Sequence, residues 1–140
     1  LETIKNKLIF KKTYYKRKCI VPFNGYYEWS IEDNKKIPYF IHIASNQPMF
    51  LAGIWKYNNN NVKVFTIITK KANNNINKIH HRMPVILSLN EADNFLNDDV
   101  TNFLDVNFFS ILENELEFYK VSRFVNNPLN NSKECIKNIQ

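Results

Sequence analysis

Between Cys19 and Thr69 the sequence breaks into short apolar or alternating runs joined by turn-forming residues, and this spacing limits the fold more than any other feature. Cys19 to Phe23 is an apolar run broken at Pro22. Asn24-Gly25 is a turn signal, and Tyr26-Tyr27-Glu28-Trp29-Ser30-Ile31 then reads as a strand. The chain turns over Asp33 to Lys36 and returns as an alternating strand from Ile37 to Ala44. Pro48 to Trp55 and Val62 to Thr69 read as two more strands, joined by the polyasparagine tip Asn58 to Asn61. These are hairpin-length separations, so the prediction is a largely antiparallel, curled sheet.

Helical signals flank that block. Leu1, Ile4 and Leu8 recur at helical spacing over Leu1 to Lys12. The polar run Thr69 to Asn77 reads as a short helix ahead of the apolar strand Val85-Ile86-Leu87. Ser88-Leu89-Asn90-Glu91 has the form of a capping box, with Ala92, Phe95 and Leu96 following on one face. Asn102 to Glu115 reads as one or two further helices and Glu117 to Val121 as a returning strand, with an irregular tail from Asn126. Asparagines at 58–61 and 73–77 read as loop filler with no function. At 140 residues, with no repeat or boundary, the expectation is a single domain. It opens on Leu1 rather than a methionine, so it reads as a piece of a longer protein.

Charge narrows the class of partner. Residues 1–18 hold Lys5, Lys7, Lys11, Lys12, Lys16, Arg17 and Lys18 against Glu2 alone, which accounts for the whole formal net charge of +6. Residues 89–118 hold acids and no Lys or Arg. A basic end opposed to an acidic block favours a polyanion on one face, and Tyr14 and Tyr15 among the cations tip this towards nucleic acid. No run has the length of a membrane span, and no charged start precedes an apolar core as in a signal peptide. Cys19 and Cys135 lie far apart with no metal-ligand spacing, which favours a reducing compartment and predicts no metal or cofactor.

The chemistry concentrates in two places. Ile79-His80-His81-Arg82-Met83-Pro84 sets two imidazoles and a guanidinium beside a stiffening proline at an element junction. Glu28 lies within Gly25-Tyr26-Tyr27-Glu28-Trp29, where aromatic neighbours would desolvate it and suit it to acid–base work. The blander readings are a surface His pair and a solvent-facing strand glutamate. No GxSxG, Walker loop, HExxH or Gly-rich dinucleotide turn is present, and two glycines cannot build a phosphate cradle. Cations flank Cys19 and would lower its pKa, but a Cys heading an apolar strand is more often core.

Several segments in order resemble the SRAP, or SOS response-associated peptidase, family, whose members capture abasic sites in DNA. They are Arg17-Lys18-Cys19-Ile20-Val21-Pro22-Phe23-Asn24-Gly25-Tyr26-Tyr27-Glu28-Trp29, Phe65-Thr66-Ile67-Ile68-Thr69 and Ile79-His80-His81-Arg82-Met83-Pro84-Val85-Ile86-Leu87. Glu2-Thr3, Pro38-Tyr39-Phe40, Ala52-Gly53-Ile54-Trp55, and Val121-Ser122 with Val125-Asn126 also match, so the resemblance runs from about residue 2 to 136.

The resemblance implies an α+β fold with a curled, barrel-like, mainly antiparallel sheet and flanking helices. Glu28 and His80 match the family's catalytic acid and histidine, and Arg82 and Thr69 match contacts to the DNA backbone. Lys16, Arg17 and Lys18 extend the expected DNA-binding set. His81 departs from the family, which usually has Asp there. The family's nucleophile, an N-terminal Cys freed of its methionine, has no counterpart in this sequence, and Cys19 lacks the free α-amine to replace it. The implied activity is covalent capture of abasic sites in single-stranded DNA, with self-removal of the initiator methionine. A monomer in an intracellular, DNA-containing compartment, nuclear in a eukaryote, is the matching expectation. The alternative is a non-catalytic single-strand-binding module of the same fold.

Overall fold

The computed structural model describes residues 16–45, 47–97, 103 and 107–139. The helix expected over Leu1–Lys12, the Glu2-Thr3 match, and Lys11, Lys12, Tyr14 and Tyr15 lie outside them, as does most of 98–106. Nine strands are present among the described residues: β1 (Lys18–Phe23), β2 (Tyr26–Glu32), β3 (Lys35–Ile43), β4 (Met49–Tyr57), β5 (Lys63–Ile67), β6 (Thr69–Lys71), β7 (Arg82–Pro84), β8 (Ile86–Leu87) and β9 (Leu116–Lys120). One α-helix, α1 (Leu89–Asn97), accompanies them.

Every strand pairing is antiparallel. Strand β4 lies between β1 and β5 and also pairs β8, β3 lies between β2 and β9, and β6 pairs β7. The strands therefore form three sheets, and no closed barrel exists among the described residues, which corrects the barrel-like expectation. The cause is visible at Asn24-Gly25. This turn is a corner: β1 pairs β4 while β2 pairs β3. Gly25 keeps a negative φ, and a Cβ on it would lie 2.7 Å from the Ile41 carbonyl oxygen, so the residue is required by close approach. The tight hairpin lies instead at Asp33-Asn34, whose φ values of 47° and 60° suit a two-residue connection between β2 and β3. Pro22 is accommodated because β1 pairs on one side only.

Alternation along β4 divides the core. Ala52 and Ile54 pack with Ile68, Val85 and Leu87 against Ala92 and Phe95 of α1. Met49 faces the other way, joining Ile41, Ile43, Met83, Ile86 and Leu112. The Ser88 backbone N–H donates to Glu91 Oε2 at 2.7 Å, and the Glu91 N–H donates to Ser88 Oγ at 3.4 Å, so the capping box forms as read from the sequence. Leu96 is 38% exposed and lies outside the buried stripe of Ala92 and Phe95, a correction to the expected face.

The segment Thr69–Asn77 is not a helix. It begins as β6, with Thr69 opposite Pro84 and Lys71 opposite Arg82, and only Ile76–Lys78 forms a 3-10 turn. Strand alternation turns Lys70 inward, where its Nζ donates to the Phe108 carbonyl at 2.6 Å and pairs with Glu113 Oε1. Both residues are buried. A second capping box, Ser110 with Glu113, starts the 3-10 turn Ile111–Glu115 and fixes the carboxylate. A buried charge left alone costs far more than a surface one. Lys70→Met is expected to lower unfolding free energy by about 3–5 kcal/mol, and Lys70→Met with Glu113→Leu to recover most of that. Urea denaturation of the two variants checks this; a single variant as stable as the parent would contradict it.

Candidate active site

The asparagine-rich stretch before His80 builds the loop that carries it. Asn73 Oδ1 accepts from the backbone N–H of Asn75 at 3.1 Å and of Ile76 at 2.9 Å, closing the turn from inside. Asn73 Nδ2 donates to the Glu113 carbonyl at 3.3 Å, and Asn75 Nδ2 to the Leu116 carbonyl at 2.9 Å, tying the loop to β9 and the turn before it. Buried Ile76 and Ile79 pin it from below. These asparagines are thus structural, where the sequence reading gave them no role.

His80 is then held by its neighbour's backbone. Its Nδ1 lies 3.2 Å from the Arg82 N–H and 3.1 Å from the Arg82 carbonyl oxygen. The same nitrogen lies 3.8 Å from Glu28 Oε1, too long for a direct hydrogen bond. The side chains of His80 and Glu28 are 36% and 26% exposed, so the pair opens to solvent. Glu28 and His80, 52 positions apart, meet here, a pairing invisible in the sequence. The His81 ring lies against His80 with centroids 4.4 Å apart.

Glu28 reaches this position through the pairing of β2 with β3, opposite Tyr39. Alternation puts Tyr26 on the same face as Glu28 and turns Tyr27 and Trp29 to the other face. Two of the three aromatics that the sequence sets around Glu28 therefore do not surround its carboxylate. Trp29 instead donates from Nε1 to Asn126 Oδ1 at 2.9 Å, which gives the Asn126 match a structural meaning. Tyr26 was not singled out by the sequence, yet its hydroxyl oxygen is buried without a hydrogen-bond partner among the described residues. Burial, and then the Glu28 and Glu113 carboxylates, push its phenol well above the usual value, so it stays protonated.

Across the β6–β7 pair, Arg82 Nη2 donates to the Thr69 carbonyl at 2.8 Å and to Thr69 Oγ1 at 3.0 Å. The two expected backbone-contact residues are thus joined, next to His80. The expected basic set is not gathered in the same way. Arg17 lies over the Trp55 ring at 5.5 Å, whereas Lys18 lies over Phe95 of α1 at 5.9 Å, because consecutive residues at the start of β1 point to opposite faces. Lys16 is exposed. Burial raises the Cys19 thiol above its ordinary value, the opposite of the shift expected from the flanking cations, and Cys19 is half-buried on β1 rather than part of the core. No group of three or more His, Cys, Asp or Glu able to hold a metal ion occurs among the described residues.

The electrostatics favour an anion over this face. From Asn34 to Asn90 the sequence contains no Asp or Glu, while Lys71, Lys78 and Arg82 lie beside the His80 loop. The stretch of chain that brings His80 to Glu28 therefore carries Lys71, Lys78 and Arg82 and adds no further acid. No helix among the described residues is long and apolar enough to cross a membrane.

The abasic site processing protein YoqW of Bacillus subtilis is 37% identical over 143 residues, covering 97% of this chain and 64% of that protein. The abasic site processing protein YedK of Escherichia coli is 28% identical over 143 residues, covering 98% and 64%. The chain thus spans just under two thirds of these relatives. A crystal structure of a protein from Bacteroides thetaiotaomicron superimposes with a TM-score of 0.81 at 27% identity, covering 99% of this chain and 64% of that one. The family model described as SOS response associated peptidase (SRAP) matches residues 1–128, and the chain belongs to that family.

Proposed function

We propose that this domain processes abasic sites in single-stranded DNA and, within a complete parent chain, captures them covalently. The observation that carries this reading is the approach of Glu28 to His80, 3.8 Å apart and open to solvent, beside the Arg82–Thr69 pair. The names of the relatives, abasic site processing proteins, support the same substrate.

In this reading Arg82 and Thr69 hold the phosphates flanking the lesion, a contact that ignores base identity and weakens with salt. An abasic deoxyribose exchanges between a closed hemiacetal and an open aldehyde. Glu28 accepts the hemiacetal hydroxyl proton as the C1–O bond breaks, and His80 protonates the departing ring oxygen. The nucleophile is an N-terminal cysteine contributed by the parent chain. Its neutral α-amine adds to the aldehyde carbon and one water leaves, giving an imine. The thiol sulfur then adds to the imine carbon and its proton passes to nitrogen, closing a thiazolidine. Release of an initiator methionine from that cysteine would use the same Glu28 and His80. His81 takes no step. It supplies an imidazole in place of a carboxylate, which leaves the surface beside the phosphates less negative.

In a parent chain with its N-terminal cysteine, Glu28→Gln is expected to slow crosslink formation by about 10²- to 10⁴-fold with little change in binding. Gel-shift kinetics on a single abasic oligonucleotide check it, and a parental rate would remove Glu28 from the mechanism. Arg82→Ala is expected to weaken binding to every single-stranded sequence alike and to reduce the slope of log affinity against log salt by about 0.7. A loss confined to particular base sequences, or an unchanged slope, would contradict a phosphate contact.

A further inference from the structure

One sheet face is left uncovered in a form that suits more than packing. Trp55 on β4 pairs with Phe65 on β5, and Tyr57 pairs with Lys63. Directly paired residues share a face, so all four project together. Phe65 is 59% exposed and Tyr57 46%. Lys63 Nζ lies 5.0 Å from the Trp55 ring centroid and 6.0 Å from that of Tyr57, and Arg17 lies on Trp55 as well. The Trp55 and Phe65 rings, with Lys63 and Val21, border a depression of about 410 Å³. Strands β1, β4 and β5 contain no Asp or Glu, so the cations here have no acid on their own strands.

The strand that carries Phe65 leads directly into the one that carries Thr69. Along β5, Lys63 and Phe65 alternate with Val64 and Thr66; the chain then passes through buried Ile68 into β6, a strand of a different sheet, where Thr69 and Lys71 are exposed and Lys70 is buried. Thr69 is four positions beyond Phe65, so the two lie at most about 13 Å apart, at ~3.3 Å per residue. An exposed aromatic row interleaved with cations and lacking acids suits a single strand: rings take bases, and ammonium and guanidinium groups take phosphates.

We infer that Phe65 and Tyr57, flanked by Lys63 and Arg17, form a stacking platform for the unpaired bases next to the nucleotide held at Thr69 and Arg82. The platform rests on the proposed single-stranded DNA substrate and lengthens its track along β5. It reads no sequence, because every base offers a π-face.

The test uses the 140-residue chain and two single-stranded oligonucleotides with a stable tetrahydrofuran abasic analogue, followed by fluorescence anisotropy. One extends several nucleotides to either side; the other keeps a single neighbour on each side. Phe65→Ala is expected to weaken binding of the long strand by about 5- to 150-fold and to leave the short one unchanged. Lys63→Ala, a surface change independent of the ring, is expected to lower the salt slope of the long strand alone. Parental affinity of Phe65→Ala for the long strand, with Arg82→Ala still impaired, overturns the platform and leaves the DNA reading standing. Failure of the parent to bind either strand overturns both. A shift of the parent's sedimentation to a dimer that Phe65→Ala abolishes, with DNA binding intact, assigns the face to a second copy and overturns the platform.

Discussion

The buried pair of Lys70 and Glu113 is the constraint on which the site depends. Lys70 sits on β6 between Thr69 and Lys71, so whatever fixes Lys70 fixes the strand that presents Thr69 to Arg82. Its partner comes from the turn before β9, which the Ser110–Glu113 capping box makes rigid. The Ser110 hydroxyl in turn donates to Glu91, the acid that caps α1. One ion pair thus links the β6–β7 hairpin, the helix and the approach to β9. Taking two charges out of water is costly, and the arrangement is tolerable because Glu113 Oε1 also accepts from the Ser110 N–H at 3.1 Å while Lys70 donates to Phe108. The return is positional: the hairpin carrying Thr69 and Arg82 has a single register.

The same economy governs the His80 loop. Asn73 and Asn75 use side-chain amides where a longer chain would use more backbone pairing, and both anchor onto 113–116. Glu28 arrives from the other side, on β2, whose partner β3 also pairs β9. The segment 113–120 is therefore common ground: one end holds the His80 loop and the other completes the sheet beneath Glu28. Acid and imidazole are set by different sheets that share this stretch of chain.

Much of this was legible in the sequence, and the gaps have physical causes. Strands β3, β4 and β9 and the capped helix followed from alternation and from Ser88-Leu89-Asn90-Glu91, because those signals are local. The turn at Asn24-Gly25 was read as a turn, but that it is a corner between sheets was not, because a turn dipeptide does not say which strand its flanks will pair. Thr69 to Asn77 looked helical because Lys70 is polar, and the acid that makes its burial tolerable lies 43 residues away. The Ser110-Ile111-Leu112-Glu113 box was readable and was passed over. Glu28, His80, Arg82 and Thr69 came from ordered resemblance; their mutual distances are tertiary facts. The exposed row at Phe65 left a trace only in the acid-free run from Asn34 to Asn90.

The central claim is that the Glu28–His80 site serves capture of an abasic sugar. The most direct measurement is the intact mass, after denaturation, of the parent chain with its native N-terminus following incubation with a single-stranded oligonucleotide carrying one abasic site. The expected product is a species equal to protein plus oligonucleotide minus one water, formed with the parent and strongly slowed in Glu28→Gln. A parent that binds the strand in a salt-sensitive way but gives no adduct would contradict capture and leave a non-catalytic single-strand-binding domain.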